Sequence, residues 1–210
     1  IQLIRGKEGT LVRIRVLPKD STKAVVHNIK RAKIELKEDA TKGHIVNHKP
    51  TKDGPAVKIG FIDVPSFYAD KAAQAAGKKE YRSTTRDVKK ILEDFKSKNV
   101  KMVVMDLRRN SGGYLTEAMQ LTGLFIDKGT ILQVKGSDGR VQPYKIPNQG
   151  QIWDGPLVVL TSRFSASASE IFAGAVQDYN RGLLIGDQGT HGKGTVQSFI
   201  PLNSLFRNNK

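Results

Sequence analysis

The sequence contains no cysteine, which excludes disulfide scaffolds, thiolate metal sites and a cysteine nucleophile. No apolar run approaches the roughly 18 residues that a membrane-spanning helix requires. Aromatic residues make up only 7% and hydrophobic residues 38% of the 210 residues, and the 20 glycines and 8 prolines complete a composition typical of globular proteins. This length predicts one well-buried domain with room for a fragment of a second.

Acidic residues are scarce relative to basic ones: 20 Asp and Glu face 35 Lys and Arg, a net charge of +15. A surplus of this size suggests binding to nucleic acid or to an anionic envelope surface. Most of it lies in residues 1–100, with 23 basic against 12 acidic residues, and no RNA-recognition, zinc-finger or helix-turn-helix signature accompanies it. We therefore interpret the charge as a solvated face and predict no nucleic-acid partner, keeping a basic scaffold that binds nucleic acid or an anionic envelope surface as an alternative.

The first part of the chain reads as strands. Residues 11–16 (LVRIRV) alternate apolar and basic side chains, as in a half-buried strand, and residues 24–36 continue in this style. A polar stretch at 39–54 precedes VKIGFIDV at 57–64, whose apolar density predicts a strand buried on both faces. Residues 69–84 lack apolar periodicity, so we expect an exposed excursion there. Ile1 opens within strand-like text without a visible leader, so we expect a longer parent chain.

The remainder alternates between helix and strand patterns. Val88, Ile91, Leu92 and Phe95 form one apolar helical stripe. Strands are predicted at 101–107, 156–162 and 183–186, and helices at 115–125 and 168–179. This alternation predicts an α/β fold with largely parallel strands, and in such folds functional loops lie at the carboxyl ends of the strands.

The first loop of interest follows the strand at 101–107 and carries Gly112-Gly113. Adjacent glycines allow a sharp turn and bring backbone N–H groups close to a ligand, which suits an oxyanion or a phosphate. A simple turn is the alternative.

The second loop, 164–170 (FSASASE), stands between a strand and a helix. A serine there lies beside the positive end of the helix dipole and free N–H groups, so its attack on a carbonyl could be followed by capture of the oxyanion. The alternative is purely structural, because Ser167 and Glu170 have the spacing of a helix capping box.

The third loop, 186–197 (GDQGTHGKGTVQ), carries Lys193 between two glycines. It does not match a phosphate-binding loop, because glycine follows the lysine and the sequence after it has a strand pattern rather than a helix pattern. A lysine with a neutral amine, favoured by partial burial, can act as a general base, and Ser-Lys pairs can replace Ser-His-Asp triads. An exposed turn lysine is the alternative. His191 is a rival general base, which would form a Ser-His-Asp triad with Asp187. The other histidines have no ligand spacing, so we predict no metal site.

These three loops together resemble the carboxyl-terminal processing, or tail-specific, proteases, which are Ser-Lys peptidases of the S41 type with a PDZ module. The residues that carry the resemblance are LIRGKEGTLVRIRV, DLRRNSGGYLTEAMQLTGLFI, GPLVVLTSRFSASASEIFAGAVQDYNRG and GKGTVQ. Two details depart from the family pattern: Ser111 replaces a glycine, and the spacing from Ser167 to Lys193 is one residue longer.

The resemblance implies a role for each matching residue and requires no metal or cofactor. The implied roles are Ser167 as nucleophile, Lys193 as general base, Gln197 orienting the lysine, Gly113 and Ala168 as oxyanion-hole donors, and Asp178 as a supporting residue.

The resemblance also implies the organisation and biology of the chain. Residues 1–35 are expected to be the closing strands of a truncated PDZ module and its connection, and residues 36–210 a crotonase/ClpP-like protease core with a parallel-rich sheet and flanking helices. Substrates would be proteins or peptides with exposed C-terminal tails, with an adaptor or a second copy as possible partners, in the periplasm or cell envelope. A catalytically inactive relative that binds peptides is the alternative.

Overall fold

The computed structural model of the protein describes residues 4, 6–32, 40–52, 54–147 and 150–196. The chain divides into two compact units, Ile1–Glu38 and Asp39–Lys210. In the first unit, β1 (Leu11–Val16) pairs antiparallel with β2 (Val25–Lys30). This confirms the strand that the LVRIRV alternation predicts, with Val12 and Ile14 as its half-buried positions.

The second unit is built on a five-stranded sheet in the order β3-β4-β5-β8-β9. Its strands are β3 (Lys42–His48), β4 (Val57–Asp63), β5 (Met102–Asp106), β8 (Leu157–Thr161) and β9 (Leu183–Gly186). All neighbours pair parallel except the edge strand β3, which is antiparallel to β4. The predicted α/β class with largely parallel pairing is therefore confirmed.

Four helices join these strands: α1 (Lys71–Ala75), α2 (Thr84–Ser97), α3 (Leu115–Gly123) and α4 (Ala168–Asp178). The strand order from β4 to β9 advances in one direction, so crossovers of the usual right-handed type carry α2, α3 and α4 to the same face of the sheet. On that face α2 contacts α3, and α3 contacts α4.

The core lies between this helix layer and the sheet. Val88, Leu92 and Phe95 of the predicted helical stripe are buried on α2, and Phe172 is fully buried on α4. Each such side chain contributes about 1.5–3 kcal/mol by leaving water. This burial fixes the helices, and with them the loops that precede them, against the sheet.

Two pairings arise where the sequence shows no clear strand signal. The polar stretch 39–54 contains β3, and residues 130–145 form a hairpin of β6 (Thr130–Lys135) and β7 (Val141–Lys145). Strands β3 and β7 are largely exposed, so their sequences carry little hydrophobic alternation, whereas β6 is mostly half-buried.

Two other expectations change in detail. Strand β4 is buried on one face and half-buried on the other, rather than buried on both, because the helix layer covers one face. The excursion at 69–84 is exposed in its middle as expected, but it contains α1 and is closed by a bridge between Ala69 and Ser83. In the described part of the chain, no helix has both the length and the apolar character needed to cross a bilayer.

Candidate active site

The site lies at one edge of the central sheet. Strands β4, β5, β8 and β9 run parallel, so their carboxyl ends, at Asp63, Asp106, Thr161 and Gly186, face the same edge. The loops that follow them include all three loops singled out in the sequence. The tertiary structure thus brings together segments that are up to about 80 residues apart in the chain.

Ser167 occupies the sharp turn between β8 and α4, where it is the N-cap of the helix. Its backbone has φ +57° and ψ −115°, a strained conformation for a residue with a side chain. A strained serine between a strand and a helix is the geometry that exposes nucleophiles in α/β hydrolases.

The neighbouring serines of the same loop have different surroundings. Ser165 is fully buried and its hydroxyl donates to the Leu107 carbonyl at 2.8 Å. Ser169 is also fully buried and donates to the Asn110 carbonyl at 2.9 Å. Only Ser167 of these three is partly exposed, so it is the one that a substrate can reach.

The two glycines after β5 lie directly against this turn. A Cβ atom added to Gly112 would stand 2.8 Å from the Cβ of Ser167 and 3.3 Å from the nitrogen of Ala168, so the two loops touch. Within the described part of the chain, the amides of Gly113 and Ala168 donate to no acceptor. Two uncommitted N–H groups beside an accessible serine are what an oxyanion hole requires.

Asn110, to which no sequence pattern points, is fully buried and hydrogen-bonds to both the glycine loop and the serine loop. Its side chain donates to the Val64 carbonyl at 2.8 Å and accepts from the Gly112 amide at 2.8 Å. Its carbonyl accepts from the Ala166 amide at 3.1 Å. A local sequence pattern does not reveal this role, because the partners come from three different loops.

Glu170 links the serine turn to the lysine loop. One carboxylate oxygen accepts the backbone N–H groups of Ser167 at 2.7 Å and Lys193 at 3.0 Å. The other accepts the Gly192 N–H at 2.5 Å and the Thr190 hydroxyl at 2.8 Å. The backbone nitrogens of Ser167 and Lys193 share one acceptor oxygen and therefore lie within about 6 Å of each other.

The charge on Glu170 is stabilised by these four donors. Burial pushes the pKa of the Glu170 carboxyl upward, but the hydrogen bonds from the Thr190 hydroxyl and from three backbone N–H groups outweigh it, so the pKa lies below its ordinary value. The capping-box spacing predicted the bond between Glu170 and the Ser167 amide. The bonds to the lysine loop, by contrast, are tertiary contacts.

The other candidate site residues that the structure describes are less buried than Ser167 or lie farther from it. Lys193 is exposed in this structure, so the partial burial expected to favour its neutral form is not observed among the described residues. His191 is also exposed and its amide donates to the Ser165 carbonyl at 3.0 Å. Asp178 is the exposed last residue of α4, roughly 15 Å along the helix from its start. Gln197 lies outside the described residues.

Metal-ligating residues do not cluster in the described part of the chain, where no group of three or more histidines, aspartates or glutamates could hold an ion.

The fold and site together define an α/β domain with the nucleophile geometry of serine hydrolases. The family model described as peptidase family S41 matches residues 58–207. The chain belongs to this family, which confirms the resemblance drawn from the three loops.

Named relatives agree with this assignment. The chain is 38% identical over 206 residues to the tail-specific protease of Haemophilus influenzae, covering 98% of this chain and 27% of that protein. It is 32% identical over 200 residues to a carboxyl-terminal-processing protease of Picosynechococcus, covering 95% and 42%. The solved photosystem II D1 C-terminal processing protease shares the fold, with a TM-score of 0.64, 23% identity and coverage of 95% of this chain and 49% of that one. The chain thus spans less than half of each of these proteins.

Proposed function

We propose that this chain is the core of a serine endopeptidase that cleaves protein substrates near their C-terminal tails. The observation that carries the proposal is the shared Glu170 oxygen, which links the backbone of Ser167 to that of Lys193 beside two uncommitted amides. Membership of peptidase family S41 and the names of the relatives support the same reaction and substrate class.

In the proposed first half-reaction, the neutral amine of Lys193 accepts the proton of the Ser167 hydroxyl as its oxygen attacks the substrate carbonyl carbon. The resulting oxyanion accepts hydrogen bonds from the amides of Gly113 and Ala168. The C–N bond then breaks, the departing amine takes the proton from the lysine ammonium, and an ester to Ser167 remains.

In the second half-reaction, water attacks the ester carbon while Lys193 accepts one of the water protons. Collapse of the second tetrahedral intermediate breaks the ester bond, and the lysine returns the proton to the oxygen of Ser167. Gln197 is proposed to orient the lysine amine and Asp178 to support the site from α4. Because Lys193 is exposed, we expect its amine to be desolvated by bound substrate or by parts of the parent protein outside this chain.

Residues 1–35 are proposed to be the closing strands of a PDZ module and its connection, and the complete module would bind substrate tails. PDZ modules bind peptides by adding them as a strand to a sheet edge. Location in the periplasm or cell envelope is proposed from the family, and the relatives also include chloroplastic proteins. An adaptor or a second copy of the chain remains a proposed partner.

The test is a cleavage assay on the full-length parent protein across pH, using a substrate with a free C-terminal tail and mass spectrometry of the products. We expect Ser167→Ala and Lys193→Ala to abolish cleavage and His191→Ala to retain it. An active Lys193→Ala variant with an inactive His191→Ala variant would select the rival Ser-His-Asp site instead. Absence of cleavage by the wild type, together with peptide binding, would support an inactive binding relative.

A further inference from the structure

The oxyanion-hole segment is held by a strand-like contact with the loop that follows β4. Phe67 forms an isolated parallel bridge with Gly113. The Phe67 amide donates to the Gly112 carbonyl at 2.9 Å, and the Phe67 carbonyl accepts the Tyr114 amide at 2.8 Å. These two bonds grip the residues on either side of Gly113 and leave the Gly113 N–H directed elsewhere.

The backbones of Phe67 and Gly113 are in tight contact. Gly113 has φ +146°, and a Cβ atom added to it would stand only 2.2 Å from the Phe67 carbonyl oxygen. The Phe67 side chain is 1% exposed and belongs to the main core. A shift of the Phe67 backbone therefore shifts the peptide that carries the Gly113 N–H.

Thr84, the first residue of α2, forms hydrogen bonds to the residues on either side of Phe67. Its fully buried hydroxyl donates to the Ser66 carbonyl at 3.0 Å and accepts the Tyr68 amide at 2.8 Å. Its own amide donates to the Tyr68 carbonyl at 3.0 Å. One side-chain oxygen thus fixes both peptide groups that flank Phe67.

A second contact holds the same loop from its outer side. The Tyr68 hydroxyl donates to the carboxylate of Asp87, one turn along α2, and accepts the Thr41 amide at 3.0 Å. Burial raises the pKa of the Tyr68 hydroxyl and its bond to Asp87 acts in the same direction, so the phenol remains protonated as a donor. The loop therefore has a fixed support on α2 rather than only on the sheet.

We infer that Thr84 is a positioning residue for the oxyanion hole, acting through the backbone of Phe67 on the amide of Gly113. The inference rests on the proposed peptidase function. Because Thr84 is fully buried, a substrate cannot reach it, and its loss should affect the transition state, in which the oxyanion forms, and leave substrate binding unchanged.

The experiment compares Thr84→Val, which keeps the shape and removes the hydroxyl, with Thr84→Ser, which restores it, in the full-length protein. Removal of an oxyanion-hole donor lowers the rate about 10²–10³-fold. Displacement of the Gly113 donor should have a smaller effect, and we expect kcat of Thr84→Val to fall about tenfold with KM unchanged. A peptide boronate, which forms a tetrahedral adduct with the serine, should bind Thr84→Val about tenfold more weakly, whereas the product peptide binds equally well. Thr84→Ser should recover both values.

Thr85→Val is the matched control. Thr85 is also buried on α2, and its hydroxyl donates to a backbone carbonyl, that of Glu117 at 3.2 Å, but it has no bond to the Phe67 loop. We expect this variant to lower stability without changing kcat. If Thr84→Val does not fold, Thr84→Ala, which also removes the hydroxyl, must show the kcat loss.

The outcomes separate the two hypotheses. Suppose that folded Thr84→Val or Thr84→Ala has wild-type kcat and boronate affinity, while Ser167→Ala is inactive. This result overturns the positioning role and leaves the peptidase proposal standing. An equal loss of kcat in Thr85→Val also overturns it, because the effect is then general destabilisation. Cleavage that survives Ser167→Ala overturns both.

Discussion

Replacement of Glu170 by glutamine tests whether the lysine loop is held to the serine turn by a carboxylate. Glutamine keeps one oxygen, which can accept only one of the two donor pairs that Glu170 accepts. Its NH2 group must then face the other pair. If that pair is the Gly192 N–H and the Thr190 hydroxyl, the hydroxyl can turn and accept from the NH2 group, so the Gly192 bond is lost and the remaining bonds lose the charge of their acceptor. Together these losses cost about 2 kcal/mol.

A total of about 2 kcal/mol corresponds to an equilibrium constant for docking of the lysine loop that is about 30-fold lower. We expect kcat/KM of Glu170→Gln to fall by up to about 30-fold in the full-length protein, while thermal unfolding stays cooperative. Glu93→Gln is the control, because Glu93 is 56% exposed and its ion pair with Lys89 is long, at 3.9 Å. Unchanged kcat/KM in Glu170→Gln would refute the idea that this carboxylate docks the loop.

Docking of the lysine loop onto Glu170 should weaken at low pH. Because the pKa of Glu170 is lowered in the folded protein, its stabilisation is fully present above the ordinary glutamate value of 4.5 and is lost as the pH falls through the lowered pKa. Hydrogen exchange of the Gly192 and Lys193 amides should therefore stay protected down to pH 4.5. Loss of protection well above that pH would contradict the assignment.

Four further changes have distinct expected results. Gly112→Ala should reduce acylation, measured as burst amplitude, at least about 100-fold, because the new Cβ would stand 2.8 Å from that of Ser167. Ser167→Gly should be inactive yet more stable by about 1 kcal/mol in denaturant titration, because glycine relieves the positive φ. Ser165→Ala should lose about 1–3 kcal/mol of stability but still acylate, since it removes the bond to the Leu107 carbonyl and leaves the Ser162 N–H without its acceptor. Phe172→Ala should cost about 3–5 kcal/mol of unfolding free energy, because it empties a fully buried position.

The elements that could be predicted are those whose signal is local and strong. The helix through Val88 and Phe95 and the buried strand at 101–107 appear in the structure where their periodicity and apolar density predict them. Peripheral strands such as Lys42–His48 could not be predicted, because an exposed edge strand needs no apolar alternation and forms through pairing with a neighbour.

The sequence by itself determined the types of the strongly patterned elements, the α/β class and the three loops that carry serine, lysine and glycines, because these follow from periodicity and from the order of residues along the chain. Only the tertiary structure decided which serine of FSASASE is accessible and which two are buried hydrogen-bond donors. It also decided that Glu170 joins two loops and that Thr84 supports the oxyanion segment. These roles depend on atoms that are distant in sequence and adjacent only after the parallel strands align their carboxyl ends at one edge.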